Sequence, residues 1–99
     1  MQNQNSKLFN LIIITPTFPA VKLECDSVHL SVKDGSSGKG GGSYGIRKGH
    51  AKAILALEKG KISAYQDGNL LKSFDCEEGF ARVEKDSVTV VTEKIENDI

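Results

Sequence analysis

Lys61-Ile62-Ser63-Ala64-Tyr65-Gln66-Asp67-Gly68-Asn69-Leu70-Leu71-Lys72-Ser73-Phe74-Asp75-Cys76 is the stretch that decides the fold class. Lys61 to Tyr65 reads as a strand, and Leu70, Phe74 and Cys76 resume the alternation after Asp67-Gly68-Asn69. Asp-Gly supplies the positive φ that a tight hairpin turn demands, so the stretch predicts two antiparallel strands. On the C-terminal side, Phe80 to Val83 and Ser87 to Thr92 read as two more strands about the polar turn Glu84-Lys85-Asp86. On the N-terminal side lies one ambiguous segment. Ala51, Ala53, Leu55, Ala56, Leu57, Glu58 and Lys59 are good helix formers ahead of Gly60, and propensity alone favours a short helix there. The strands around it argue against one.

Further out, Leu8 to Thr15 is rich in β-branched residues and stops at Thr15-Pro16, where the missing N–H would break a ladder. Val21 to Val32 is extended, with Leu23 and Cys25 in one phase and Val28, Leu30 and Val32 in the other. That change of phase at Asp26-Ser27 predicts a bulge or a turn between two short strands. Several short strands with closely spaced turns imply an all-β domain, a sandwich or a barrel. Residues 1–7 are polar and expected as a disordered tail, 34–43 as a flexible Gly/Ser/Lys loop, and 93–99 as a stub too short for a stable helix. The folded part is expected over residues 8–92.

The chain of 99 residues fits one domain. Its 13 Lys plus Arg balance 13 Asp plus Glu, which removes the electrostatic footprint of a nucleic-acid binder. Cys25 and Cys76 are in no CxxC spacing and have no histidine cluster beside them, so neither a disulfide framework nor a zinc site is implied, and a reducing compartment fits. The apolar run Leu11 to Ile14 is far below the ~20 residues of a spanning helix, and the start Met1-Gln2-Asn3-Gln4-Asn5 has no basic n-region. No direct membrane insertion is expected.

Gly40-Gly41-Gly42-Ser43-Tyr44-Gly45 fits the GxGxxG spacing, but a glycine-dense loop yields that spacing by chance, and hairpins rather than crossovers follow it. A phosphate loop fails outright, because Gly40 follows Lys39 where a Ser or Thr must hold magnesium. Cys25 or Cys76 with His50 would make a nucleophile and base, yet both cysteines lie in phase with apolar neighbours and read as packing residues. His29, between Val28 and Leu30, points away from their face and is expected in solvent. Gly45-Ile46-Arg47-Lys48-Gly49-His50-Ala51 is less easily dismissed, since turn chemistry explains Gly45 and Gly49 but not His50.

That run, with Ile14-Thr15-Pro16, Asp26-Ser27-Val28-x-Leu30, Leu57-x-x-Gly60, Gly79-Phe80 and Val88-Thr89-Val90, resembles in its order the epsilon subunit of F-type ATP synthases. The resemblance covers residues 9–92. It implies an antiparallel β-sandwich, with a strand rather than a helix over residues 52–57. It implies a non-catalytic rotor subunit of the central stalk, without cofactor or metal, peripheral to the inner, cytoplasmic face of the energy-coupling membrane. Its partners would be the gamma subunit, contacted by Ile46, His50, Ala51 and Phe80, and the c-ring, contacted by Ser43 and Tyr44. Lys48 and Lys52 stand where the family usually has proline, Glu78-Gly79-Phe80 replaces Gly-Gly-Phe, and the loop before Gly45 lacks the usual acidic residues. The family's helical hairpin, which brakes hydrolysis and in some members binds ATP, would begin where this sequence ends. Another sandwich interaction module and a small Cys/His enzyme are the rival classes.

Overall fold

Among the described residues ten strands follow one another: β1 (Phe9–Ile14), β2 (Val21–Cys25), β3 (Ser27–Val32), β4 (Gly42–Arg47), β5 (Ala53–Leu57), β6 (Gly60–Gln66), β7 (Asn69–Cys76), β8 (Gly79–Val83), β9 (Ser87–Thr92) and β10 (Ile95–Asn97). This computed structural model describes residues 7–33 and 42–97. Residues 1–6 of the expected tail and 34–41 of the expected loop lie outside the described residues.

Alternation builds the core. Phe9, Leu11 and Ile13 of β1, Val28, Leu30 and Val32 of β3, Leu55 and Leu57 of β5, and Val88 and Val90 of β9 all point inward and are buried. A period of two puts alternate residues on one face, so each strand contributes one apolar row to a common interior. The ladders run in the order β10-β7-β6-β3-β5-β8-β9-β1-β2, with β4 on β3. β3 and β5 meet through the Val32↔Leu57 pair, flanked by Lys33 N–H to Ala56 O (3.0 Å) and Glu58 N–H to Ser31 O (2.9 Å). There the sheet curls, giving a rear half, β4-β3-β6-β7-β10, and a front half, β5-β8-β9-β1-β2, around the core.

The hairpin forms as read: Gln66↔Asn69 closes β6 on β7, and Asp67 (φ 53°) with Gly68 (φ 80°) makes a turn with two positive φ values. The break in phase at Asp26 is the passage between halves, because β2 pairs with β1 and β3 pairs with β4 and β6. Asp26 fixes this corner, its N–H donating to Tyr65 O (2.9 Å) and its carboxylate accepting the Asp67 N–H (2.7 Å).

Three expectations change. The sheet is mixed: β1 runs parallel to β9, a pairing between distant strands whose direction no turn sets. Gly42 and Ser43, expected in the loop, pair with Val32 and Ser31 in β4. The expected C-terminal stub holds β10, because Ile95 packs against the core and its backbone completes the edge of β7 opposite Cys76. Over residues 53–57 the strand prevails over helix propensity, since only an extended chain buries Leu55 and Leu57 while pairing with β8 and β3.

Candidate functional site

The turn after β4 carries the chain from the rear half to the front. His50 N–H donates to Arg47 O (3.2 Å) and Gly49 N–H to Lys85 O (2.8 Å), tying the turn to the β8–β9 connection. Gly49 has φ +87°, a backbone that side chains resist, which accounts for a glycine before the histidine. His50 Nδ1 lies 2.7 Å from Ala51 O and Nε2 lies 3.1 Å from the Tyr44 hydroxyl. A carbonyl only accepts, so Nδ1 carries a proton and donates it to Ala51 O, while Nε2 pairs with the Tyr44 hydroxyl. The two rings meet edge to face at 5.8 Å. His50 is thus a clasp between β4 and the segment entering β5.

Of the residues expected to meet gamma, His50 is half-buried, Ala51 is exposed and Phe80 is 46% exposed on β8. Ile46 is 1% exposed and belongs to the core, so it holds the turn from below. Of the two residues expected at the c-ring, Ser43 is exposed on the outer face, while Tyr44 is in phase with Ile46 and packs against the core. Tyr44, His50 and Ala51 come together. Phe80 lies apart from them on the outer face of the front half.

Around Phe80 is a surface that the residue-by-residue reading missed. Ala56, Phe80, Val91 and Ile14 are in register across β5, β8, β9 and β1 and form one outward row. In the next row stand Ile54, Arg82, Thr89 and Ile12, with Ile54 65% exposed. Ile14, Pro16, Phe80 and Val91 line a hollow of about 400 Å³. The sequence signal for it is that residues 53–57, 90–91 and 11–14 are apolar in both phases, as in strands covered on both faces.

Neither thiol is activated. Burial, helped by the Asp26 charge, pushes Cys25 up to about 11, and burial raises Cys76, with the Gly60 N–H partly opposing it. A reactive thiolate needs the opposite environment. His29 is exposed, as expected, with its ring 5.0 Å from that of Tyr65. No helix among the described residues is long and apolar enough to cross a membrane.

Against this geometry stand the likenesses to known proteins. The family model described as ATP synthase, Delta/Epsilon chain, beta-sandwich domain, matches residues 8–98. Among solved structures, a chain of the Euglena gracilis mitochondrial ATP synthase (OSCP/F1/c-ring in rotational state 1) is similar at TM-score 0.74 and 15% identity, covering 92% of this chain and 55% of that one. A chain of the Tetrahymena thermophila mitochondrial ATP synthase central stalk/c-ring is similar at TM-score 0.67 and 11% identity, covering 89% of this chain and 65% of that one. This chain therefore spans between about half and two-thirds of the length of the chains it resembles. By sequence, no curated protein matches it.

Proposed function

The chain belongs to the ATP synthase delta/epsilon family through its β-sandwich domain, and from that premise we propose that it is a non-catalytic central-stalk subunit of an F-type ATP synthase. In this reading it grips the gamma subunit and rests on the c-ring, passing torque between proton flow and ATP synthesis. It sits peripherally on the inner face of the energy-coupling membrane. The carrying observation is the outer row Ala56, Phe80, Val91 and Ile14, an apolar strip on four strands with a hollow beside it. Contiguous exposed apolar surface marks a partner site, and a stable interface buries roughly 1,200–2,000 Å² in total.

Phe80 is the anchor for gamma, with His50 and Ala51 at the margin and Ile46 supporting them from the core. Ser43 and Tyr44 are assigned to the c-ring, Ser43 by direct contact and Tyr44 by holding the strand. A stalk subunit has to transmit force without deforming, and the clasp from Tyr44 through His50 to Ala51 supports that role.

The test is co-elution and calorimetry of the chain with the gamma subunit of the same source. One-to-one binding is expected, and His50→Ala, which opens the clasp, is expected to weaken it at a stability cost of about 1–2 kcal/mol with the fold retained. A folded chain that shows no binding at tens of micromolar, an affinity below about 6–7 kcal/mol, overturns the proposal. The sandwich would then be an interaction module of another assembly.

A further inference from the structure

Behind the clasp, on the outer side of the rear half, is a hollow of about 390 Å³ lined by Ser27, His29, Arg47, Lys48 and His50 together with the Gly45 and Gly49 backbone. Among the described residues no carboxylate lines it. Arg47 and Lys48 are both exposed, and among the described residues neither is in an ion pair. Lys7, Lys33, Lys59, Lys61 and Arg82 all face an acidic partner, and what distinguishes Arg47 and Lys48 from the other exposed cations is that the two share one hollow with a histidine.

The imidazole of His29 leans on Tyr65 from one strand and lies over Gly45 of the other, where an added Cβ would stand 3.5 Å from its Nε2. A glycine at 45 thus leaves the floor of the hollow open beneath the ring. His50 closes one wall, with both ring nitrogens engaged by Tyr44 and Ala51. Asp26 lies on the far side of Arg47 and Lys48, in a second hollow with Lys7. Its Oδ2 accepts the Asp67 N–H and faces, at 3.7 Å, the Lys7 ammonium that it shares with Asp67, and it does not line the hollow that holds His29.

We propose that this hollow binds a phosphate group, held by the Arg47 guanidinium and the Lys48 ammonium, with the His29 imidazole and the Ser27 hydroxyl as further donors. The fork of a guanidinium matches two phosphate oxygens, and a neighbouring ammonium adds charge without geometric demand. The volume accommodates the group together with several waters of about 30 Å³ each. Overall neutrality of the chain makes the local excess of cations the more telling, because no general positive field would draw an anion to this end. The phosphate is either free in solution or the headgroup of an anionic lipid. The proposal does not depend on the central-stalk reading, since it requires no other subunit.

The experiment uses the whole chain, isotope-labelled, titrated with inorganic phosphate against chloride at equal ionic strength. Saturable NMR shifts confined to Gly45, Arg47, Lys48, Gly49 and the His29 ring are expected. Arg47→Gln with Lys48→Gln should weaken binding about tenfold or more, and Lys48→Gln alone, at an exposed side chain, severalfold. Lys22→Gln is the control and should change nothing. In a second arm the chain is sedimented with phosphatidylcholine vesicles with or without phosphatidic acid. Phosphate shifts together with capture by the acidic vesicles that the double variant loses identify a lipid headgroup, and phosphate shifts without capture identify a free phosphate. Either result supports the hollow as the site. Absence of shifts up to about 50 mM phosphate, shifts scattered over all the lysines, or binding unchanged in the folded Lys48→Gln chain would overturn it.

Discussion

Across the outer side of β5, β8, β9 and β1 one register row holds Ala56, Phe80, Val91 and Ile14, whereas across β4, β3, β6 and β7 the equivalent row holds Gly45, His29, Ser63 and Ser73. Inward, the two halves follow the same alternation and share one core. Outward, the β6–β7 side of the rear half closes its polar groups on one another, through Ser63 beside Ser73 and Lys61 donating to Asp75 at 2.9 Å, while its β3–β4 end keeps Arg47 and Lys48 outside any ion pair among the described residues. The front half leaves an aromatic ring and three aliphatic side chains without such closure. Inner rows therefore explain why the chain folds, and outer rows show which half leaves an apolar face uncovered.

The sharpest way to break this comparison is to put a charge on the front row. Phe80→Asp should cost at least about 100-fold in gamma affinity, roughly 3 kcal/mol, with the fold retained, as for an interface anchor. Lys61→Ala on the rear should leave affinity within about twofold, since exposed ion pairs contribute little. Equal losses from both would mean that the halves are not functionally distinct.

Backbone contact supplies the next contrast. A Cβ at Gly79, in the front half, would stand 2.1 Å from the Val91 carbonyl oxygen, while one at Gly60, in the rear, would stand 2.6 Å from the Ser31 hydroxyl. A hydroxyl can rotate and a strand carbonyl cannot. Gly79→Ala should therefore destabilise by about 3 kcal/mol and Gly60→Ala by about 1 kcal/mol, measured by urea unfolding. The reverse order would show that the rear half is the more rigid.

The two thiols sharpen it further. Cys25 of the front half keeps its proton to about pH 11, against about 9 for an ordinary thiol. Its contribution to stability is full below pH 9 and is lost as pH rises towards 11, because the unfolded chain releases the proton first. A loss of about 2 kcal/mol across that window is expected. Cys76 of the rear half is raised too, but the Gly60 N–H favours its thiolate. Alkaline unfolding of Cys25→Ala should accordingly be flatter than that of Cys76→Ala. The smallest effect belongs to the clasp joining the halves. Tyr44→Phe removes the hydroxyl facing His50 and should cost less than about 1 kcal/mol in thermal melts.

Local signals were easiest to read. Asp67-Gly68 fixed the β6–β7 hairpin because positive φ has few residue types to serve it, and the phase change at Asp26-Ser27 marked the corner between halves. The parallel pairing of β1 with β9 left no local trace, since neither its distance nor its direction is encoded by a turn. β10 escaped because Ile95 is its sole apolar residue, and its stability comes from the edge it joins. At the candidate site, Phe80, His50 and Ala51 were legible as a motif. Ile54, Val91 and Ile14 were not, since an apolar residue in a strand gives no hint of which face it takes until register is known.

The same β1–β9 ladder has a consequence during synthesis. β1 is flanked by β2 on one edge and by β9 on the other, so it stays half-paired until the six strands between β2 and β9 have been translated. Throughout that interval Phe9, Leu11 and Ile13 lack the Val88 and Val90 rows that cover them in the finished sheet. Long-range pairing of this kind makes folding slow and leaves nascent chains prone to association. A transcript cut short before Val88 would release an open apolar edge, the surface that chaperones hold and proteases clear.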